Sequence, residues 1–72
     1  MTQAEYIISK FGGIHPMARA ISRRPSTVQG WMERGSIPER NWREILEMAA
    51  AANVELKEDD FVAHLRIANA AA

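Results

Sequence analysis

The chain has 72 residues, about half the length of a usual domain, and 47% of them are apolar. One small core is therefore the limit: a domain of this size buries only about 60% of its unfolded surface, which leaves no room for a deep catalytic cleft or a large cofactor-binding fold. Nine Lys and Arg stand against nine Asp and Glu, so the formal charge is zero, which taken alone argues against nucleic acid or an acidic surface as partner. The absence of cysteine excludes disulfides, thiolate metal sites and thiol nucleophiles together. No basic region precedes an apolar run at the start, and no apolar stretch approaches the ~18 residues of a membrane span. A soluble, cytoplasmic protein with no membrane partner is expected.

Thr2-Gln3-Ala4-Glu5 fits a capping box, so a first helix is expected to begin there. Ile7, Ile8 and Phe11 form its apolar side and Gly12-Gly13 its stop. Pro16 suits the first position of a second helix, which runs to about Ile21 with Met17, Ala18 and Ile21 inward and Arg19 outward. Ser22-Arg23-Arg24-Pro25 breaks the pattern. A third helix is predicted from Pro25, with Val28 and Trp31 inward and Gly35 as its stop. Ile37-Pro38-Glu39-Arg40 repeats the proline-led start for a fourth helix, in which Trp42, Ile45, Leu46, Ala49 and Ala52 keep helical spacing and Asn53 is the cap. Val54-Glu55-Leu56 is too short for more than an extended link. A fifth helix follows, its first turn carrying Glu58, Asp59 and Asp60, with Leu56 stapled onto Phe61 and a stripe continued by Leu65 and Ala68. Residues 69–72 are expected to fray. The whole of 1–72 reads as one domain, without repeat or linker.

The zero net charge hides a division. Up to Arg40, Lys10, Arg19, Arg23, Arg24, Arg34 and Arg40 face Glu5, Glu33 and Glu39, a surplus of three positive charges. From Asn41 onward Arg43, Lys57 and Arg66 face Glu44, Glu47, Glu55, Glu58, Asp59 and Asp60, a surplus of three negative ones. Arg23, Arg24 and Arg34 bracket the third helix, which concentrates positive charge around one short element.

The second and third helices, joined by a turn of about three residues, match a helix-turn-helix unit over about residues 14–34. Ala18 is small where the two must cross, and Ile21 and Val28 fill the angle between them. The third helix is left with an outward face of Ser26, Gln29, Gly30 and Glu33. An α-helix fits the major groove of B-DNA, where Gln bonds bidentately to adenine and Arg to guanine. Gly30 permits close approach, and Ser26 and Thr27 are sized to hold a phosphate oxygen beside the helix N-terminal amides. The candidate DNA-binding residues are therefore Arg23, Arg24, Ser26, Thr27, Gln29, Gly30 and Arg34, with His15 as a cap or phosphate contact and Lys10 and Arg19 at the edge. Glu33 beside Arg34 weakens the case for the latter.

With these residues in view, Phe11-Gly12-Gly13-Ile14-His15-Pro16-Met17-Ala18-Arg19-Ala20-Ile21, then Pro25-Ser26-Thr27-Val28-Gln29-Gly30-Trp31, then Ile37-Pro38-Glu39, resembles the small Cro-like and YdaS-like phage repressors of the lambda-repressor-type helix-turn-helix superfamily. The resemblance extends over about residues 2–66, and its specific part lies between Phe11 and Glu39. It implies an all-α, five-helix domain, commonly dimeric on a near-palindromic operator, with the third helix as reader. The sequence departs from the pattern in the turn: Ser22 stands where Gly is usual, Arg23 where an apolar residue is usual, and Arg24 where a Ser or Thr cap is common.

The aromatic residues Trp31, Trp42 and Phe61 share helical spacing with Ile, Leu and Ala, which assigns them to the core rather than to a base-stacking platform. His15 and His64 have no second ligand at metal spacing and no nucleophile motif beside them, so neither metal, cofactor nor catalysis is expected. The acidic run 58–60 is read as capping, since consecutive carboxylates point apart on a helix. The expected function is that of a sequence-specific DNA-binding transcriptional regulator, a phage-type repressor acting by occupancy. The third helix reads the major groove of double-stranded DNA and the N-terminus of the second grips the backbone. A single module buries only about 600–1,000 Å² on DNA, so a homodimer is expected. The reading from another class is a protein-interaction module, or antitoxin, docking an acidic partner through the same basic face. No small-molecule substrate is expected.

Overall fold

In the computed structural model, residues 1–62 are described. Among them are α1 (Gln3–Phe11), α2 (Ile14–Ala20), α3 (Pro25–Arg34), a 3-10 turn (Glu39–Asn41) and α4 (Trp42–Ala51). Residues 58–62 open a fifth helix, and no strand occurs among the described residues. The domain is all-α, as expected, with Val54, Glu55 and Leu56 as a link without regular structure. The expected stripe at Leu65 and Ala68, His64 and the frayed end at 69–72 lie outside the described residues.

Each helix begins and ends for a local reason. The Thr2 hydroxyl accepts the Glu5 N–H at 3.1 Å while the Glu5 carboxylate accepts the Thr2 N–H at 3.3 Å, the reciprocal box read from the sequence. Three exits share one geometry. After α1, Gly12 is left-handed, with the Gly12 N–H donating to Ser9 and the Gly13 N–H to Ile8; after α2, Ser22 and Arg23 donate to Arg19 and Ala18; after α4, Asn53 and Val54 donate to Ala50 and Ala49. Each pair of bonds satisfies carbonyls that the helix itself leaves free. Ser22, at φ 56°, holds the left-handed conformation without glycine's freedom. Gly35, at φ 79°, ends α3 where predicted, and a methyl on it would lie 3.2 Å from Thr2 Cγ2.

Two starts differ from expectation. Pro16 occupies the third position of α2, not the first, because Gly13 turns the chain into the helix at Ile14. The first N–H to enter the helical ladder is that of Met17, donating to Gly13, so Pro16 still gives up no bond. Pro38 leads not into an α-helix but into the 3-10 turn, closed by the Asn41 N–H donating to the Pro38 carbonyl at 2.9 Å, and α4 begins only at Trp42. The second helix also stops one residue early, with Ile21 as its cap.

α1 packs on both α2 and α3, which pack on each other. The core between them holds Ala4, Ile7, Ile8, Met17, Ala18, Ile21, Val28 and Trp31, joined by Ile37, Trp42, Ile45 and Phe61 from the second half. Trp42 stacks on Phe61 with centroids 4.9 Å apart, so the expected core role of the aromatic residues holds. One polar side chain is drawn in with them. Gln3, only 3% exposed, donates from Nε2 to the Phe61 carbonyl at 3.1 Å and accepts the Ile37 N–H on Oε1 at 2.8 Å. The Trp42 indole donates to the Ile37 carbonyl at 2.8 Å, so both backbone groups of Ile37 are held by side chains. This fastens the segment after α3 to α1, α4 and the fifth helix together. At the start of that fifth helix the Asp60 carboxylate accepts the Lys57 N–H at 2.9 Å, and Leu56 packs on the core that contains Phe61, in keeping with the capping role read for the acidic run. No helix of the described residues is long and apolar enough to cross a membrane.

Candidate nucleic-acid interface

The inward side of α3 is used up by packing, with Val28 and Trp31 buried. Its outward side is therefore fixed by helical phase: Ser26, Gln29 and Glu33 are exposed, Gly30 is partly exposed, and Arg24 stands exposed just before the first turn. No large apolar side chain lies on this outward strip. Arg24 is the N-cap residue, extended at φ −72° and ψ 143°, and its side chain makes no capping bond. Pro25 has no N–H to offer and the Thr27 N–H donates to the Arg24 carbonyl at 3.0 Å, so of the first turn of α3 only the Ser26 N–H is without a bond to the described residues.

Gly30 sits in the interior of α3 with no positive φ to require it. A methyl there would meet only the tip of Arg34, at 3.7 Å from Nη1 and 3.9 Å from Nη2, which is ordinary contact. Alanine in place of this glycine would favour the helix by about 1 kcal/mol, so neither backbone nor packing accounts for its presence. The same distances put the Arg34 guanidinium alongside Gly30 and not in an ion pair with Glu33: the ion pair found among the described residues is Arg23 to Glu44.

That pair alters the reading of Arg23. Its Nε and Nη2 donate to Glu44 Oε1 at 3.2 and 3.0 Å, and Nη2 donates to Oε2 at 2.8 Å, so α4 grips the turn between α2 and α3 by one edge of the guanidinium. The carboxylate holds the Arg23 guanidinium above its ordinary pKa, through the hydrogen bonds and then through charge. Two charges from opposite ends of the sequence dipole cancel here. Lys10 is drawn to α1 itself, its ammonium 5.2 Å from the centroid of the Tyr6 ring, and Tyr6 in turn donates from its hydroxyl to Asp60 at 3.3 Å. The Arg23–Glu44 pair thus takes one charge from each side of the division seen in the sequence.

The predicted residues fall into three places. Arg24, Ser26, Gln29 and Gly30 share the outward side of α3. Arg23, Thr27 and Arg34 line a cleft of about 460 Å³ over the edge of Trp31, together with Arg40 and Asn41 from the 3-10 turn. His15 is exposed in the first turn of α2, whose N-cap, Gly13, has no side chain to close it. In the sequence Arg40 is one charge among nine and Asn41 carries no signal; only the fold brings them to the cleft beside α3. Arg43, three residues on, lines a separate hollow with Glu39, Trp42, Leu46 and Glu58. Among the described residues no three His, Asp or Glu side chains gather as metal ligands.

No protein-family model matches this chain, and no curated protein and no solved structure matches it.

Proposed function

We propose that the protein is a sequence-specific DNA-binding transcriptional regulator of the small phage-repressor kind, which acts by occupying a promoter and carries out no chemistry. The observation that carries this reading is the outward side of α3: Ser26, Gln29 and an otherwise unexplained Gly30 lie on it in one helical phase, with Arg24 ahead and Arg34 behind. In this reading α3 enters the major groove. Gln29 supplies a bidentate base contact worth about 1–3 kcal/mol of discrimination, and Ser26 takes a phosphate oxygen through its hydroxyl and its own N–H. The resemblance of residues 11–39 to Cro-like repressors points the same way. Since one module covers too little DNA for tight specific binding, two copies bind half-sites about 34 Å apart on a near-palindromic operator.

The test is anisotropy of labelled duplex at several salt concentrations, after selection of bound sequences from a random pool. Log affinity should fall with log salt at about 0.9 per phosphate neutralised. Gln29→Ala should relax preference at particular base pairs, whereas Arg24→Ala should weaken all duplexes alike. Absence of duplex binding at low salt refutes the proposal, and capture of an acidic protein instead would favour the interaction-module reading.

A further inference from the structure

The cleft beside α3 is lined by arginines from three elements: Arg23 from the turn after α2, Arg34 from the end of α3 and Arg40 from the 3-10 turn. The nearest carboxylate joined to them, Glu44, is already spent on the Nε and Nη2 edge of Arg23, and the Nη1 edge bonds to no described residue. Arg34 and Arg40 form no ion pair with any described residue. The neutral lining continues the same chemistry. Thr27 is half-buried there with its hydroxyl unbonded among the described residues. Asn41 stands at the N-cap of α4, where its side chain makes no capping bond. With Arg23 paired to Glu44, Arg34 and Arg40 leave two positive charges on the cleft without a partner among the described residues, and an anion entering it would pair with both. Donors that arrive from three elements suit a tetrahedral phosphate oxyanion better than a planar carboxylate.

We propose that this cleft is a binding site for one phosphate group, held by Arg34, Arg40 and the free edge of Arg23, with Thr27 and Asn41 as neutral partners. Phosphate chemistry reaches it from either of two sources, a DNA backbone phosphodiester or a free phosphate ester. The first of these rests on the DNA-binding reading and places a contact beside the groove, outside the base pairs that α3 would read. The cleft then fixes register and carries no sequence information.

The experiment follows the backbone amides of the intact protein by nitrogen-15 correlation spectra during two titrations. One uses inorganic phosphate against chloride of equal ionic strength, the other a short duplex of arbitrary sequence, each on wild type, Arg40→Gln and Arg34→Gln. Both side chains are exposed, so thermal melts of the variants should superpose on wild type. Phosphate, not chloride, should shift Thr27, Arg40 and Asn41, and either substitution should weaken it roughly tenfold. Duplex should shift the same amides, and each substitution should flatten the salt slope by about 0.9 without changing base preference. Stillness of the three amides in both titrations overturns the cleft, even where Ser26 and Gln29 respond to duplex and uphold the DNA reading. A phosphate response with no duplex binding upholds the cleft as a site for free phosphate esters and refutes the DNA reading. Duplex binding with an unchanged slope in both variants overturns the backbone contact.

Discussion

Replacement of Gly30 by alanine should move stability and binding in opposite directions. A glycine inside a helix costs about 1 kcal/mol relative to alanine, because it has more backbone freedom to lose on folding. Nothing in the structure cancels that gain: the added methyl would lie 3.7 Å from Arg34 Nη1, the mobile end of a long side chain, and the backbone is not left-handed. For a domain of this size 1 kcal/mol corresponds to about 4–8 °C in Tm. On the binding side, the methyl stands where α3 would come nearest to base edges or backbone. Displacement of the helix by one carbon should weaken duplex binding at least about tenfold, equivalent to ~1.4 kcal/mol or one good base contact. Thermal melting by circular dichroism gives the first quantity and anisotropy at fixed salt the second. A higher Tm with unchanged affinity would show that the outward side of α3 does not approach DNA closely. A lower Tm would refute the claim that this position is free of steric demand.

Three further outcomes follow from the same reasoning. Gln3→Ala removes two buried hydrogen bonds, to the Phe61 carbonyl and from the Ile37 N–H, so urea unfolding should show a loss of about 2–4 kcal/mol, whereas a surface glutamine would cost almost nothing; a shift under 0.5 kcal/mol would contradict the burial of this amide. Ser22→Gly relieves a left-handed serine and should raise stability by about 0.5–1 kcal/mol, after allowance for the looser unfolded chain; a fall in Tm would mean that the serine hydroxyl does more in the turn than its conformation requires. Glu44→Gln should leave stability within about 1 kcal/mol, since an exposed pair contributes little, and should release Arg23, raising duplex affinity and steepening the salt slope by up to about 0.9; identical slopes would exclude Arg23 from the interface.

The helix ends and the core were largely legible because their causes are local. Thr2 and Glu5, Gly12, Gly35 and Asn53 announce starts and stops through bonds made within a few residues, and Val28 with Trp31 reveals the inward side of α3 by spacing alone. The remaining stop, Ser22, was visible only as a departure from the glycine usual at that position. Gln3 was illegible for the opposite reason: an amide in the first turn of a helix looks solvated, and its partners lie 34 and 58 residues away. In the candidate site, phase alone sets Ser26, Gln29 and Gly30 on one side. The capture of Arg23 by Glu44, 21 residues distant, and the arrival of Arg40 beside Arg34 are products of tertiary packing. Composition counts charges but does not say which of them are already spent.

The grip of Gln3 also bears on how the protein is made. Translation delivers Gln3 58 residues before Phe61, whose carbonyl it needs, so this bond cannot lock α1 in place until Phe61 has been made. A product that stops short of Phe61 lacks both that acceptor and a wholly buried aromatic ring of the core. Interrupted synthesis should therefore yield unfolded, degradable fragments. If the protein regulates by occupancy, as proposed above, partial copies should not linger as competitors for its binding sites.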